Sequence, residues 1–281
     1  MSTSPQFEVL ASGYGLIEGP RVDQENRLYF SDARNGGVYC RAPSGEIETV
    51  IPKRRGVGGI ALHAAGGIVV SGKNICHVKD GESRIVFERE DIPGFNDLVT
   101  DAEGRILVGA IRSHAFWTGD PHVPGELFRV DAEGEATVLY EDVGMSNGIG
   151  SSPDGRRLYH SDSARNQVLV HDVAEDGSCT NRRVFAEPPR GTPDGLAVDE
   201  EGCVWIAAYG GGCVMRFAPD GSLSRRYAVP AKIVTSLCFG GPLRRDLYVV
   251  TADNTSAPAL AGTIFRTQVD VPGLAVELAQ V

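Results

Sequence analysis

The sequence predicts an all-β protein, a six-bladed β-propeller with four antiparallel strands per blade. Three observations carry this. A segment with one grammar recurs six times: a leading step, an apolar strand, a polar turn and a second apolar strand. Apolar residues alternate with polar ones at period two, and no long stretch has helical period. Turns such as "SPDG" and "APDG" supply the Asp-Gly steps that hairpins favour, within 35 glycines overall.

The first strand of each blade is read from "IEGPRVD", "VGGIALH", "FNDLVTD", "SNGIGSS", "PDGLAVD" and "VTSLCFGG". The second strands are anchored by Leu28, Ile68, Ile106, Leu158, Val204 and Leu247, about 38 to 52 residues apart, the spacing of four-stranded blades. The third strands, "GGVYCRA", "NICHV", "GELFRVD", "NQVLVHDV", "GCVMRFA" and "GTIFRTQV", alternate as half-buried strands do. A more polar fourth follows in "IETVIP", "RIVFER", "ATVLYED", "RRVFAE" and "LSRRYAV". The N-terminal "FEVLAS" is expected to pair in the last blade beside "GLAVELAQV", because an open sheet edge invites aggregation. No linker interrupts the pattern, so residues 1–281 are read as one domain. The longest insertions are Ser113 to Pro124 and Asp253 to Ala261.

Composition narrows the function. The net charge is -10 with no basic run, which argues against a nucleic-acid partner. No apolar run approaches the ~20 residues that span a bilayer, so no membrane is expected. The N-terminus has neither a basic start nor an apolar core, and the six cysteines are scattered. Both fit free thiols in a cytoplasmic protein.

One column of the repeat carries chemistry. Five residues before Asp23, His63, Asp101, Ser152, Asp199 and Gly240 stand Glu18, Gly58, Asn96, Asn147, Asp194 and Thr235. In a propeller the innermost strand lines the central channel, so this column should ring one mouth. Four of the six offer carboxylate or amide oxygens, the donors a hard divalent cation takes. Asn147-Gly148 and Asp194-Gly195 are also ordinary turn dipeptides. The shared register sets them apart. No histidine pair has zinc spacing, and there is no G-x-S-x-G elbow or phosphate loop. Asp32, Arg34, Asp162 and Arg165, in the echoing "LYFSDARN" and "LYHSDSARN", read as strand-end capping.

At these residues the chain resembles the senescence marker protein/gluconolactonase/luciferin-regenerating family of six-bladed propellers. The matches are "GLIEGPRVD", "FNDLVTDAEGRILVG", "SNGIGSSPDGRRLYHSDS", "PDGLAVDEEGCVWIAAYGGGCVMRFAPDG" and "TSLCFGG". The resemblance implies one divalent metal held by Glu18, Asn147 and Asp194, with Asp194 also the base that activates water. It implies that Asn96 contacts substrate or metal-bound water. Two sugar-binding groups of the family are missing, at Gly94 and near Pro121. That departure predicts a substrate less polar than an aldonolactone.

The expected activity is metal-dependent hydrolysis of a small lactone or ester, most simply by a lactonase. Alternatives are a non-catalytic propeller using its ion structurally, and a different ester or phosphotriester hydrolase at the same site. Asp194 is the expected general base. Asn96, Arg112, His114, Trp117 and Tyr209, with Phe116, are expected to contact substrate. Calcium is the first choice of ion, with Mg, Mn, Zn or Fe also compatible. Oligomeric state is left open.

Overall fold

The computed structural model is described for residues 6–113, 119, 121, 123–252 and 261–281. It contains six four-stranded antiparallel sheets arranged as the blades of a β-propeller. The innermost strands are Ile17–Val22, Ile60–Leu62, Gly94–Thr100, Ser146–Ser151, Thr192–Val198 and Val234–Gly240. Each predicted second-strand anchor lies on the strand paired to one of these. Among the described residues the helical content is one 3-10 turn, Ser163–Arg165.

The blades adhere through apolar faces. Six buried clusters each join two adjacent blades, so the core is itself a ring. Trp205 and Ala207 of blade five, for example, pack with Leu237, Val249 and Phe265 of blade six. The innermost positions alternate between these interfaces and the channel, as period two requires. The turn acids are structural. One Asp199 oxygen accepts the N–H groups of Glu201 and Cys203, and the other accepts the Trp205 indole N–H at 2.7 Å. Asp23 and Asp101 make the same turn contacts in blades one and three. The six cysteines carry free thiols.

Ring closure differs from the sequence reading in one respect. Glu8–Ala11 does complete the last blade, but its partner is Ile264–Gln268. The "GLAVELAQV" segment crosses the face opposite the column instead. Leu274 N–H donates to the Val198 carbonyl, Ala279 N–H to Leu62 and Gln280 N–H to Gly104, tying blades five, two and three.

Candidate metal centre and its mouth

The column residues converge where their strands break register. The pairing of first to second strand is interrupted between Glu18 and Arg21, Phe95 and Leu98, Ser146 and Ile149, Pro193 and Leu196, and Val234 and Ser236. Such irregularities bend a strand and re-aim a side chain. Here they turn the column toward the axis. The close approach needs glycine. A Cβ on Gly148 would lie 2.2 Å from the Leu196 nitrogen, and one on Gly58 would lie 2.1 Å from Asn96 Oδ1. The vacant position in blade two is therefore filled by the side chain of blade three.

Three column side chains, Asn96, Asn147 and Thr235, are held by neighbouring groups. Asn147 Nδ2 donates to Ser163 Oγ at 3.0 Å, and Ser163 Oγ donates to the Pro193 carbonyl at 2.6 Å. Its Oδ1 accepts from Asn96 Nδ2 at 3.0 Å, which also donates to the Ser146 carbonyl at 2.8 Å. Both protons of the Asn96 amide are thus engaged, leaving Oδ1 as its acceptor. Thr235 is different, since its hydroxyl donates to the Ile17 carbonyl at 2.6 Å.

The loops leading into the column are moored by the two acids expected as caps. Asp32 accepts the N–H groups of Gly15 and Leu16, just before Glu18. Asp162 accepts those of Gly144 and Met145, just before Asn147. Arg165 pairs with Asp162 and Asp142.

The electrostatics are those of crowded, dehydrated acids. Asp194 is 5% exposed, and its Oδ1 is buried with no hydrogen-bond partner among the described residues. Burial pushes its carboxyl well above the usual aspartate range, helped by the charge of Asp97. Burial likewise raises Glu18, followed by the charges of Asp194 and Asp97. Asp97 itself is buried and pushed up to about 6, chiefly by burial, against the pull of Arg21. Arg21 Nη2 lies 3.8 Å from Asp97 and donates to the Leu98 carbonyl at 2.9 Å.

Among the described residues no three His, Cys, Asp or Glu side chains form a metal-binding group. The donor set is smaller and softer in charge: two carboxylates and amide oxygens. An unpartnered buried carboxylate oxygen, two like charges raised together and an all-oxygen ring suit one divalent cation. Glu18, Asn147 and Asp194 are the residues that would hold it.

The expected substrate contacts divide. Tyr209 lies at the mouth, half-buried; its phenol is raised by burial and then by the charge of Asp194, with Arg34 opposing. Arg112 lines a mouth cavity of about 420 Å³. Its guanidinium is already committed, donating to both Glu126 oxygens and to the carbonyl and carboxylate of Asp91. Arg112 is thus a wall of the cavity whose charge is spent. His114, Phe116 and Trp117 lie outside the described residues. Gly94 lines the cavity and Pro121 is exposed. A larger cavity of about 1170 Å³ lies at the other end of the channel, among hairpin turns, with no column residue in its walls.

Two features escaped the sequence reading. Asp97 stands where the other blades place Gly19, Gly59, Gly148, Gly195 and Ser236, and a lone acid in that register was the available signal. Behind Asn147, Ser146 Oγ contacts His160 Nε2 at 2.7 Å, and the Tyr140 hydroxyl contacts His160 Nδ1 at 2.8 Å. Both Ser146 and His160 are fully buried, so this is a support and not a nucleophile with its base. Burial lowers His160 to about 3, which keeps it neutral.

Comparison with known proteins identifies the family. A 6-deoxy-6-sulfogluconolactonase of Pseudomonas putida is 34% identical over 272 residues, covering 91% of each chain. A pentonolactonase of Haloferax volcanii is 32% identical over 276 residues, covering 92% of each. The structure of a luciferin-regenerating enzyme superposes with a TM-score of 0.89 at 25% identity, covering 99% of this chain and all of that one. The family model for the SMP-30/gluconolactonase/LRE-like region matches residues 16–253. With a ring of oxygen donors at the channel mouth and this match over most of its length, the chain belongs to the SMP-30/gluconolactonase/LRE-like family.

Proposed function

We propose that the protein is a divalent-cation-dependent lactonase. The observation that carries this is the orphaned, buried Oδ1 of Asp194 beside Glu18 and Asn147. The names of the two lactonase relatives support the substrate class. A divalent ion, when bound, supplies Lewis acidity at the lactone carbonyl and acidifies nearby water.

The chain's own residues do the rest. Glu18 and Asp194 provide the anionic charge, and Asn147 a neutral oxygen whose orientation Ser163 and Asn96 fix. Asp194 accepts the proton of the attacking water. The water oxygen bonds to the acyl carbon and the ring C–O bond breaks, its oxygen leaving as the hydroxyl of a hydroxy acid. Asn96 Oδ1 accepts from a substrate hydroxyl, both its N–H groups being occupied. Tyr209 forms one side of the mouth.

The test is lactone hydrolysis after chelation and after reloading with calcium, magnesium, manganese, zinc or iron(II). Activity should vanish on chelation and return with at least one ion. Full turnover in the chelated protein would remove the metal from the reading, and no turnover with any ion would remove the lactonase.

A further inference from the structure

The mouth cavity is cationic, in a chain whose net charge is -10. Gly56, Gly94 and Met145 line it, and each stands two residues before a column residue: Gly58, Asn96 and Asn147. The cavity therefore lies beside the oxygen ring, although no column residue is itself in its walls. At about 420 Å³ it has room for a small ligand. Pro93, Phe95, Ile111 and Val123 supply apolar lining.

Four basic residues line it, Arg34, Arg55, Lys73 and Arg112, and no acidic one among the described residues. The acids that neutralise Arg112, Asp91 and Glu126, stand outside the lining. Arg34 reaches toward the column, where its charge is felt at Tyr209 together with those of Asp194 and Glu18. Arg55 and Lys73 are exposed, and neither makes an ion pair or hydrogen bond with another described residue. Two uncompensated cations beside a ring of buried acids make a dipolar mouth. A neutral apolar lactone has nothing to offer the outer half.

We propose that the substrate carries an ionised group remote from its lactone carbonyl, a sulfonate, phosphate or carboxylate, held in this cavity by Arg55 and Lys73. This rests on the lactonase reading for the position of the carbonyl. The lactone then lies over the oxygen ring, and its far end projects toward blade two. The anion pairs with the cations through charge-assisted hydrogen bonds. The departure at Gly94 acquires a use: without a side chain there, the path from ring to cavity stays open.

The experiment compares kcat/KM for glucono-1,5-lactone with analogues bearing phosphate, sulfonate or carboxylate at C6, on the ion-loaded protein. At low ionic strength at least one charged analogue should exceed the neutral lactone by about tenfold, as two partly exposed ion pairs allow. The preference should shrink at about 0.5 M salt. In Arg55→Ala/Lys73→Ala the ratio of charged to neutral kcat/KM should fall close to one. A neutral lactone turned over as well as all three analogues overturns the proposal, as does a preference that survives in the double variant. If none of the four lactones is hydrolysed, the lactonase reading fails, and the cavity is judged by calorimetric binding of the open-chain acids. Equal affinity for gluconate and its C6-charged analogues then overturns it.

Discussion

Replacing Asp97 by asparagine is expected to make the ion-free protein more stable at neutral pH. Asp97 is 5% exposed, and burial pushes its carboxyl from 3.8 to about 6. Its folded-state value lies above its unfolded one. The contribution is therefore most favourable below about pH 4, where both states hold the proton. It is lost as pH rises through about 6, because the unfolded chain releases the proton first. A gap of about two pH units at 1.36 kcal/mol each makes a penalty of about 3 kcal/mol at pH 7.5. Asparagine never ionises and keeps the oxygen that accepts the Leu98 N–H. Arg21 loses its carboxylate but retains the Pro20 and Leu98 carbonyls. That loss offsets part of the gain and leaves about 1–2 kcal/mol, allowing for the cost of a weakened buried pair. Urea and thermal melts in chelator at pH 4 and pH 7.5 measure it. The variant should melt a few degrees above the parent at pH 7.5, and the gap should close at pH 4. A variant less stable at pH 7.5, or an advantage unchanged by acid, would refute the reasoning.

Asp194→Ala should abolish both turnover and the rise in Tm on adding a divalent ion while leaving the β circular dichroism intact; parental turnover contradicts the assignment of the base. Asn96→Ala should lower kcat/KM more than it lowers ion affinity, because its amide supports Asn147 without adding charge. An affinity loss equal to that of Glu18→Ala would make it a primary ligand. Asp162→Ala strands the N–H groups of Gly144 and Met145, while Arg165 keeps Asp142, costing about 2–4 kcal/mol, with weaker ion binding through Asn147. An unchanged Tm would show the loop to be moored elsewhere.

Much of this was legible in the sequence. The blade count followed from strand spacing, because every blade needs the same alternation and a tight turn, which Asp23, Asp101 and Asp199 mark in three of them. The column was legible because one register recurs, so Glu18, Asn147 and Asp194 could be aligned without knowing any contact. The basic mouth was not. Arg34 read as part of a cap from its echo of Arg165, and its N–H does donate to Asp32 as that of Arg165 does to Asp162, but Arg34 also lines the cavity. Arg55 and Lys73 lie in connections with no repeat to align them, and only folding brings them to one rim. The Gly94 and Pro121 departures predict a substrate less polar than an aldonolactone; absent side chains show in a sequence, whereas cations supplied from another blade do not.

Blade six has a burden that no other blade shares. Glu18 stands on blade one and Asp194 on blade five, so the blade between them is the one assembled from both ends of the chain, Glu8–Ala11 against Ile264–Gln268. Thr235 touches the strand of Glu18, and Ser236 abuts Gly195 beside Asp194. Two buried acids that repel one another therefore push apart the neighbours of the seam. A divalent ion held between them, as proposed, would be a clasp as well as a reagent, drawing the flanking blades together beside the seam. Hydrogen exchange along Glu8–Ala11 should slow when the ion binds, although that strand lies at the blade's outer edge; equal rates with and without the ion would leave the clasp without support.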